Sequence, residues 1–209
     1  MVYIFDDMNG FSNEIYEVWL KRIPSNKAES IHSYKNLSDK KQHLIAYLLL
    51  RYAVYKEIGI LSMPNVIYSN VKPYLYDMPS LKFNLSHCIC GVACIVGRND
   101  VGVDIQEYIE YDDQYESILS CDEVEYLKSG KKMLKFTEIW TKKEAFGKYK
   151  GVGILYDLQS FNTLGFENIH TFGNIKLNFT TMIKEHYVIS ACSNAVEQFI
   201  FVDTSQLLI

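Results

Sequence analysis

Prolines are scarce in this chain: four stand among 209 residues, and no Pro-rich, Gly-rich or otherwise repetitive tract interrupts it. Collagen-like, linker-dominated and intrinsically disordered organisations are thereby excluded. Long apolar runs are also missing. The longest, Leu44 to Leu50, stops at Arg51, far short of a bilayer span, and the first ten residues carry Asp6 and Asp7 with no basic segment ahead of an apolar one. The expectation is a cytoplasmic protein without a membrane partner. Five cysteines, an odd number, argue for reduced thiols, and Cys88, Cys90 and Cys94 lack the paired CxxC spacing of a zinc site. Charge of either sign is nearly balanced at −4, and no RNP-like aromatic motif is present, so no nucleic-acid partner is expected.

What is there is the composition of a globular protein, 48% hydrophobic and 22% charged, enough for one large domain or two packed halves. The charge is unevenly placed. Between Lys128 and Lys150 eight lysines face Glu138 and Glu144, a local +6, which leaves −10 for everything else. Such a segment either focuses potential on an anionic ligand or is a solvated helix face.

Hydrophobic periodicity predicts a strand over residues 2–5, helices over 13–21 and 39–58, and strands over 66–68, 81–87, 92–96 and 101–105. Ser38 would cap the second helix and Gly59 would stop it. Helices over 122–128 and 134–149 then precede strands over 160–163, 175–183, 187–192 and 199–202. Helix-then-strands occurs twice, which favours an α+β fold of two similar halves, 1–103 and 104–209, each with helices on a small antiparallel sheet.

Two segments look chemical. Gly97 to Asp100 is a turn signal, so residues 92–105 read as a hairpin in which Val101, Val103 and Ile105 share one face, and Gly102, Asp104 and Gln106 the other. Asp104 and Gln106 then offer oxygens roughly 6 to 7 Å apart beside a glycine that admits a ligand, unless Asp104 is simply an exposed strand-end residue. In FTEIWTKKEAFGK, the residues Phe136, Ile139, Trp140, Lys143, Glu144 and Gly147 form one helical stripe, so ionisable groups continue an aromatic face. An inward carboxylate needs a partner or a cation; a frayed last turn with a Glu144–Lys148 pair is the other reading.

GVDIQ followed forty residues later by WTKKEAFGK resembles the paired signature of the Sfp-type 4'-phosphopantetheinyl transferases, roughly GxDxE and then (W/F)SxKEAxxK. FNLSHC resembles the family's FNxSH segment, VKP its GxKP segment, and IPSNKAESI with DKKQHLIAYLLLR its lysine-bearing loop and arginine-ended helix. The resemblance runs in order from about Ile23 to Lys148; the C-terminal strands carry no diagnostic motif. It implies a pseudo-twofold α+β fold with coenzyme A in the cleft between the halves. It implies magnesium on Asp104 and Glu144, and Lys143 and Lys148 near the pyrophosphate. Lys27, Arg51, Lys72 and His87 fall where relatives contact the phosphates and the 3'-phosphoadenosine end, and Glu123 aligns with a glutamate suggested to activate the attacking hydroxyl.

Two departures stand out. Gln106 replaces a second metal-binding glutamate, and Ser30 a lysine of the 3'-phosphate grip. His87 is either a phosphate ligand or a hydrogen-bonded structural histidine.

The implied activity is magnesium-dependent transfer of phosphopantetheine from coenzyme A to a serine of an apo acyl or peptidyl carrier protein, releasing 3',5'-ADP, by a monomer. Glu144, Glu123 or a metal-bound hydroxide would accept the serine proton, and Lys148 would stabilise the leaving phosphate. The rival readings are a magnesium-dependent phosphohydrolase and a non-catalytic relative that docks carriers. Which carrier and pathway are served is not written in the sequence.

Overall fold

A computed structural model describes the chain except residues 70–71, 131–132, 152–157, 165–168 and 173–174. Strands β1 (Val2–Phe5), β4 (Lys82–Cys88), β5 (Gly91–Gly97) and β10 (Phe199–Phe201) form a four-stranded sheet in the order β10-β1-β5-β4. Strands β6 (Gly102–Glu107), β7 (Ile169–Phe172), β8 (Ile175–Ile183) and β9 (Tyr187–Ser193) form a second, in the order β6-β9-β8-β7. Strands β2 (Val66–Ile67) and β3 (Tyr74–Leu75) make a small separate ribbon. Helices α1 (Asn13–Leu20), α2 (Ser25–His32) and α3 (Leu37–Ile58) precede the β2–β3 ribbon, α4 (Cys121–Lys128) and α5 (Met133–Lys150) lie between β6 and β7, and α6 (Thr204–Leu207) follows β10.

The layers run helix, sheet, sheet, helix. Helix α3 packs on one face of the first sheet, where Leu44, Leu48, Phe5, Phe83 and Cys94 are buried together. The other face meets the second sheet through Val2, Ile4, Ala93 and Ile95 against Val103, Ile105, Ile189 and Ala191. Helix α5 covers the far side with Ala145 and Phe146 on Leu177, Phe179 and Cys192. Strands enclosed on both faces need no polar alternation, so every residue of β9 is buried, and in β5 all but the final glycine. Gly59 ends α3 in the left-handed region at φ 76°, a conformation costly for any residue with a Cβ.

Several sequence expectations are corrected here. Strands β5 and β6 are not a hairpin. Both edges of β5 are taken by β1 and β4, while β6 pairs with β9, so the turn at 98–101 carries the chain from one sheet to the other. Helix α3 begins two residues before Asp39, with Asn36 rather than Ser38 at its N-cap. Residues 25–32, expected as a loop, form α2, and residues 160–163, expected as a strand, hold only the last residue of a 3-10 turn (Leu158–Ser160) followed by irregular chain. Near the end of the chain, β10 returns to pair in parallel with β1.

Candidate functional site

Strand β4 is shared between two sites. By strand alternation Phe83, Leu85 and His87 face α3, while Asn84 and Ser86 face β6. Asn84 Oδ1 accepts from the Val103 amide at 3.0 Å, tying the edge of one sheet to the edge of the other. Two residues on, Ser86 Oγ donates to Asp104 Oδ1 at 2.7 Å.

Asp104 is 5% exposed. Its Oδ1 also accepts from Lys148 Nζ of α5 at 2.7 Å, and the same ammonium reaches Ser86 Oγ at 2.9 Å. Its Oδ2 is buried and has no hydrogen-bond partner among the described residues. A buried carboxylate oxygen left unpaired costs free energy unless something else meets it. One turn back along α5, the half-buried Glu144 is pushed above the usual carboxylate range, first by burial and then by the negative charge of Asp104, with Lys148 opposing. Two carboxylates and one lysine leave a net negative charge, the condition under which a hard divalent cation binds favourably to oxygen ligands. Gln106 is half-buried on the Asp104 face of β6, and its neighbour Glu107 lies instead beside Cys88, whose thiol is pushed up to about 12 by burial. Among the described residues no group of three or more His, Cys, Asp or Glu side chains is assembled.

Gly102 serves packing rather than ligand access. A Cβ there would lie 2.0 Å from the Ala145 carbonyl oxygen and 2.5 Å from the Tyr149 nitrogen, so the missing side chain is what lets α5 lie close on β6 and bring Glu144 and Lys148 to Asp104.

The second site lies on the α3 side of β4. A cavity of about 310 Å³ is lined by Lys27, His43, Tyr47, Tyr68, Phe83 and His87, among others. An adjoining one of about 370 Å³ shares Lys27, Tyr47 and Tyr68 with it and adds Ser30. Lys27 Nζ donates to Tyr68 Oη at 3.0 Å and lies 5.6 Å from the Tyr47 ring centre. The imidazoles of His43 and His87 meet edge to face at 4.8 Å, and Tyr34 stacks on His43 at 3.9 Å. His87 is pushed below the usual imidazole range by burial, then by the charge of Lys148.

Other expected site residues are placed elsewhere. Lys143 and Glu123 pair with each other at 2.9 Å, with 1% and 0% of their side chains exposed. Lys143 Nζ also donates to the carbonyls of Leu158 and Phe161 at 2.6 and 2.5 Å. Glu123 accepts from the Ser120 amide and, at 2.8 Å each, from the amide and hydroxyl of Thr163. Neither reaches Asp104: on a helix buried on nearly all sides, Lys143 faces the 158–161 turn while Glu144 faces β6. Arg51 is 8% exposed, donates to an Ile209 backbone oxygen and lies 5.7 Å from the Trp19 ring centre, so it braces the back of α3 rather than the cavity. Lys72 pairs with Asp100 at 3.0 Å and donates to the Tyr149 carbonyl, linking the loop before β3 to the end of α5.

The lysine-rich segment is not a bare cationic face. Lys128 pairs with Glu116, Lys135 and Lys142 with Glu138, Lys143 with Glu123, and Lys148 with Asp104. Lys131 and Lys132 lie outside the described residues.

The sequence reading passed over Asn84, Ser86 and His43. A signal for the last existed: His43, Ala46, Tyr47 and Leu50 recur at helical spacing and line one cavity.

Comparison with known proteins points one way. Residues 100–196 match the 4'-phosphopantetheinyl transferase superfamily. The chain is 34% identical over 142 residues to 4'-phosphopantetheinyl transferase psf-1 of Bacillus pumilus, covering 65% of this chain and 60% of that one. It is 25% identical to a 4'-phosphopantetheinyl transferase of Bacillus subtilis, with 67% and 65% covered, and 26% identical to 4'-phosphopantetheinyl transferase gsp of Aneurinibacillus migulanus, with 73% and 66% covered. The chain thus spans a little under two thirds of the length of these curated relatives.

Proposed function

We propose that the chain is a 4'-phosphopantetheinyl transferase of the Sfp type, which moves the phosphopantetheine arm of coenzyme A onto a serine of an apo acyl or peptidyl carrier protein; the match of residues 100–196 and the likeness to psf-1 support this. The two sheet-and-helix halves are read as a pseudo-twofold pair with coenzyme A between them, and the protein as a cytoplasmic monomer with no nucleic-acid or membrane partner.

The observation that carries the reading is Asp104: a buried carboxylate with one oxygen on Ser86 and Lys148 and the other without a partner among the described residues, near a second carboxylate whose ionisation it opposes. That donor set fits magnesium, and Asp104 and Glu144, with Gln106 alongside, are the residues that would hold it. The ion, when bound, supplies neutralisation of the pyrophosphate charge during in-line attack.

The chain's own residues then have separable roles. Ser86 fixes the rotamer of Asp104. Lys148 is its counter-ion in the free protein, and with a quarter of its side chain exposed it is free to turn its ammonium to the departing 3',5'-ADP phosphate. Glu144 is assigned the proton of the carrier serine; burial and Asp104 raise its proton affinity in the protein without the ion. Glu123, enclosed with Lys143, is not given that task. Lys27 and His87 hold the phosphorylated adenosine end, with the cavity's aromatic walls around it.

The test is stoichiometry. Coenzyme A, magnesium and apo-carrier incubated with the protein should yield holo-carrier and 3',5'-ADP one for one. Coenzyme A cleavage at the same rate without carrier would replace the transferase reading with a phosphohydrolase.

A further inference from the structure

Within the α3-side cavity, His43 is the chemically unexplained residue. It is half-buried, sandwiched between the Tyr34 ring at 3.9 Å and the edge of His87 at 4.8 Å, and it shares the cavity with Lys27. No carboxylate is present among the described residues lining that cavity. Two imidazoles in edge contact beside a fixed ammonium cannot both be charged without mutual repulsion, so the free cavity holds them neutral. A dianion placed among them reverses that balance, because each imidazolium then gains an opposite charge and a hydrogen-bond acceptor.

Resting on the reading of coenzyme A as substrate, we propose that His43 makes its capture proton-coupled: the 3'-phosphate enters the cavity together with a proton that the His43–His87 pair takes up from solvent.

The charges around His43 favour this. Lys27 of α2 and His87 of β4 hold it down from the cavity side, Asp39 on its own helix opposes them, and behind His87 stand Lys148 of α5 and Asp104 of β6. Burial comes first among the causes, and the imidazole is lowered to about 4. The sign follows. A group with a low affinity for protons in the free state and a higher one in the complex takes up protons on binding, so affinity rises as pH falls between the two values, by up to about tenfold per pH unit for one proton. The phosphate works the other way. Its second ionisation lies near pH ~6, so the fraction that arrives protonated sheds its proton in a cationic site. Net uptake cannot come from the ligand.

The experiment is calorimetry of coenzyme A binding to the full chain at pH 7, in two buffers of different ionisation enthalpy, with dephospho-coenzyme A as the control. Wild type should show net proton uptake with coenzyme A and none with the control, and its affinity should fall several-fold from pH 6.5 to 7.5. His43→Phe keeps the ring between Tyr34 and His87 but cannot ionise; it should bind more weakly and lose the buffer dependence, with its melting temperature showing that it folds. Coenzyme A binding without buffer dependence, uptake that survives His43→Phe, or equal uptake with the control would overturn proton coupling while leaving the substrate standing. Failure of wild type to bind coenzyme A at all would overturn the substrate reading and this inference with it.

Discussion

Lys143 Nζ stands 2.9 Å from Glu123 Oε2, and both side chains are closed off from solvent. The pair sits inside a filled network: the lysine also serves two carbonyls of the 158–161 turn, the carboxylate serves Ser120 and Thr163, and Phe146 stacks on Phe161 at 4.4 Å beside them. Removing one member strands the other, a loss of about 3–5 kcal/mol for a buried pair. Lys143→Met should therefore lower the urea midpoint sharply, and the Lys143→Met, Glu123→Met double variant should be less destabilised than the two singles added together. A fully stable Lys143→Met protein would show that the network contributes little.

Glu144 presents the opposite case. Its ionised form is disfavoured in the folded state by burial and by Asp104, so it stabilises the fold only while protonated and is a cost above the unfolded carboxylate value. Glu144→Gln should raise the melting temperature at pH 7, with a gain that shrinks as pH falls toward 4, while turnover drops by roughly 100-fold or more. At this chain length each kcal/mol moves the midpoint by about 2–4 °C. An unchanged or lower melting temperature would place Glu144 away from Asp104.

Asp104→Asn removes the charge that Lys148 and a bound cation share. Magnesium should raise the melting temperature of the wild-type protein and leave that of the variant unmoved, because preferential binding to the folded state is what stabilises it. An equal magnesium response in both would move the cation elsewhere.

Gly102→Ala places a methyl group 2.0 Å from the Ala145 carbonyl oxygen, so α5 must shift off β6. Loss of stability and of activity should appear together, and crystallographic or exchange measurements should find the change in α5. Wild-type activity in this variant would separate the helix seating from the chemistry.

Much of this was legible in advance. Period-two alternation survives in any sheet, so it puts Asp104 on the face of its strand shared with Gly102 and Gln106, and Glu144 stands out because an inward carboxylate on an aromatic stripe needs a reason. The stripe also puts Lys143 inward, where it is buried, but residues 143 and 144 are about 100° apart on a helix and spacings of three and four from Trp140 admit both, so spacing does not say which of them meets Asp104. Nothing in the spacing says that α5 is enclosed on nearly all sides. The 98–101 turn read as a hairpin because turn chemistry is local, whereas the partner of β6 is set by β9, some ninety residues away. Arg51 closes the apolar run Leu44 to Leu50 inside α3, and only the return of the C-terminal segment to that helix shows which side it serves.

Mass analysis of a carrier protein before and after incubation tests the central claim most directly. With wild-type protein, coenzyme A and magnesium, an apo-carrier should gain one phosphopantetheine, located on a single serine by fragmentation, and the Asp104→Asn and Glu144→Gln proteins should leave it apo over the same interval. A panel of acyl and peptidyl carriers whose mass stays unchanged with wild-type protein, while coenzyme A is bound and intact, would contradict the account and leave a chain that binds the substrate without transferring it.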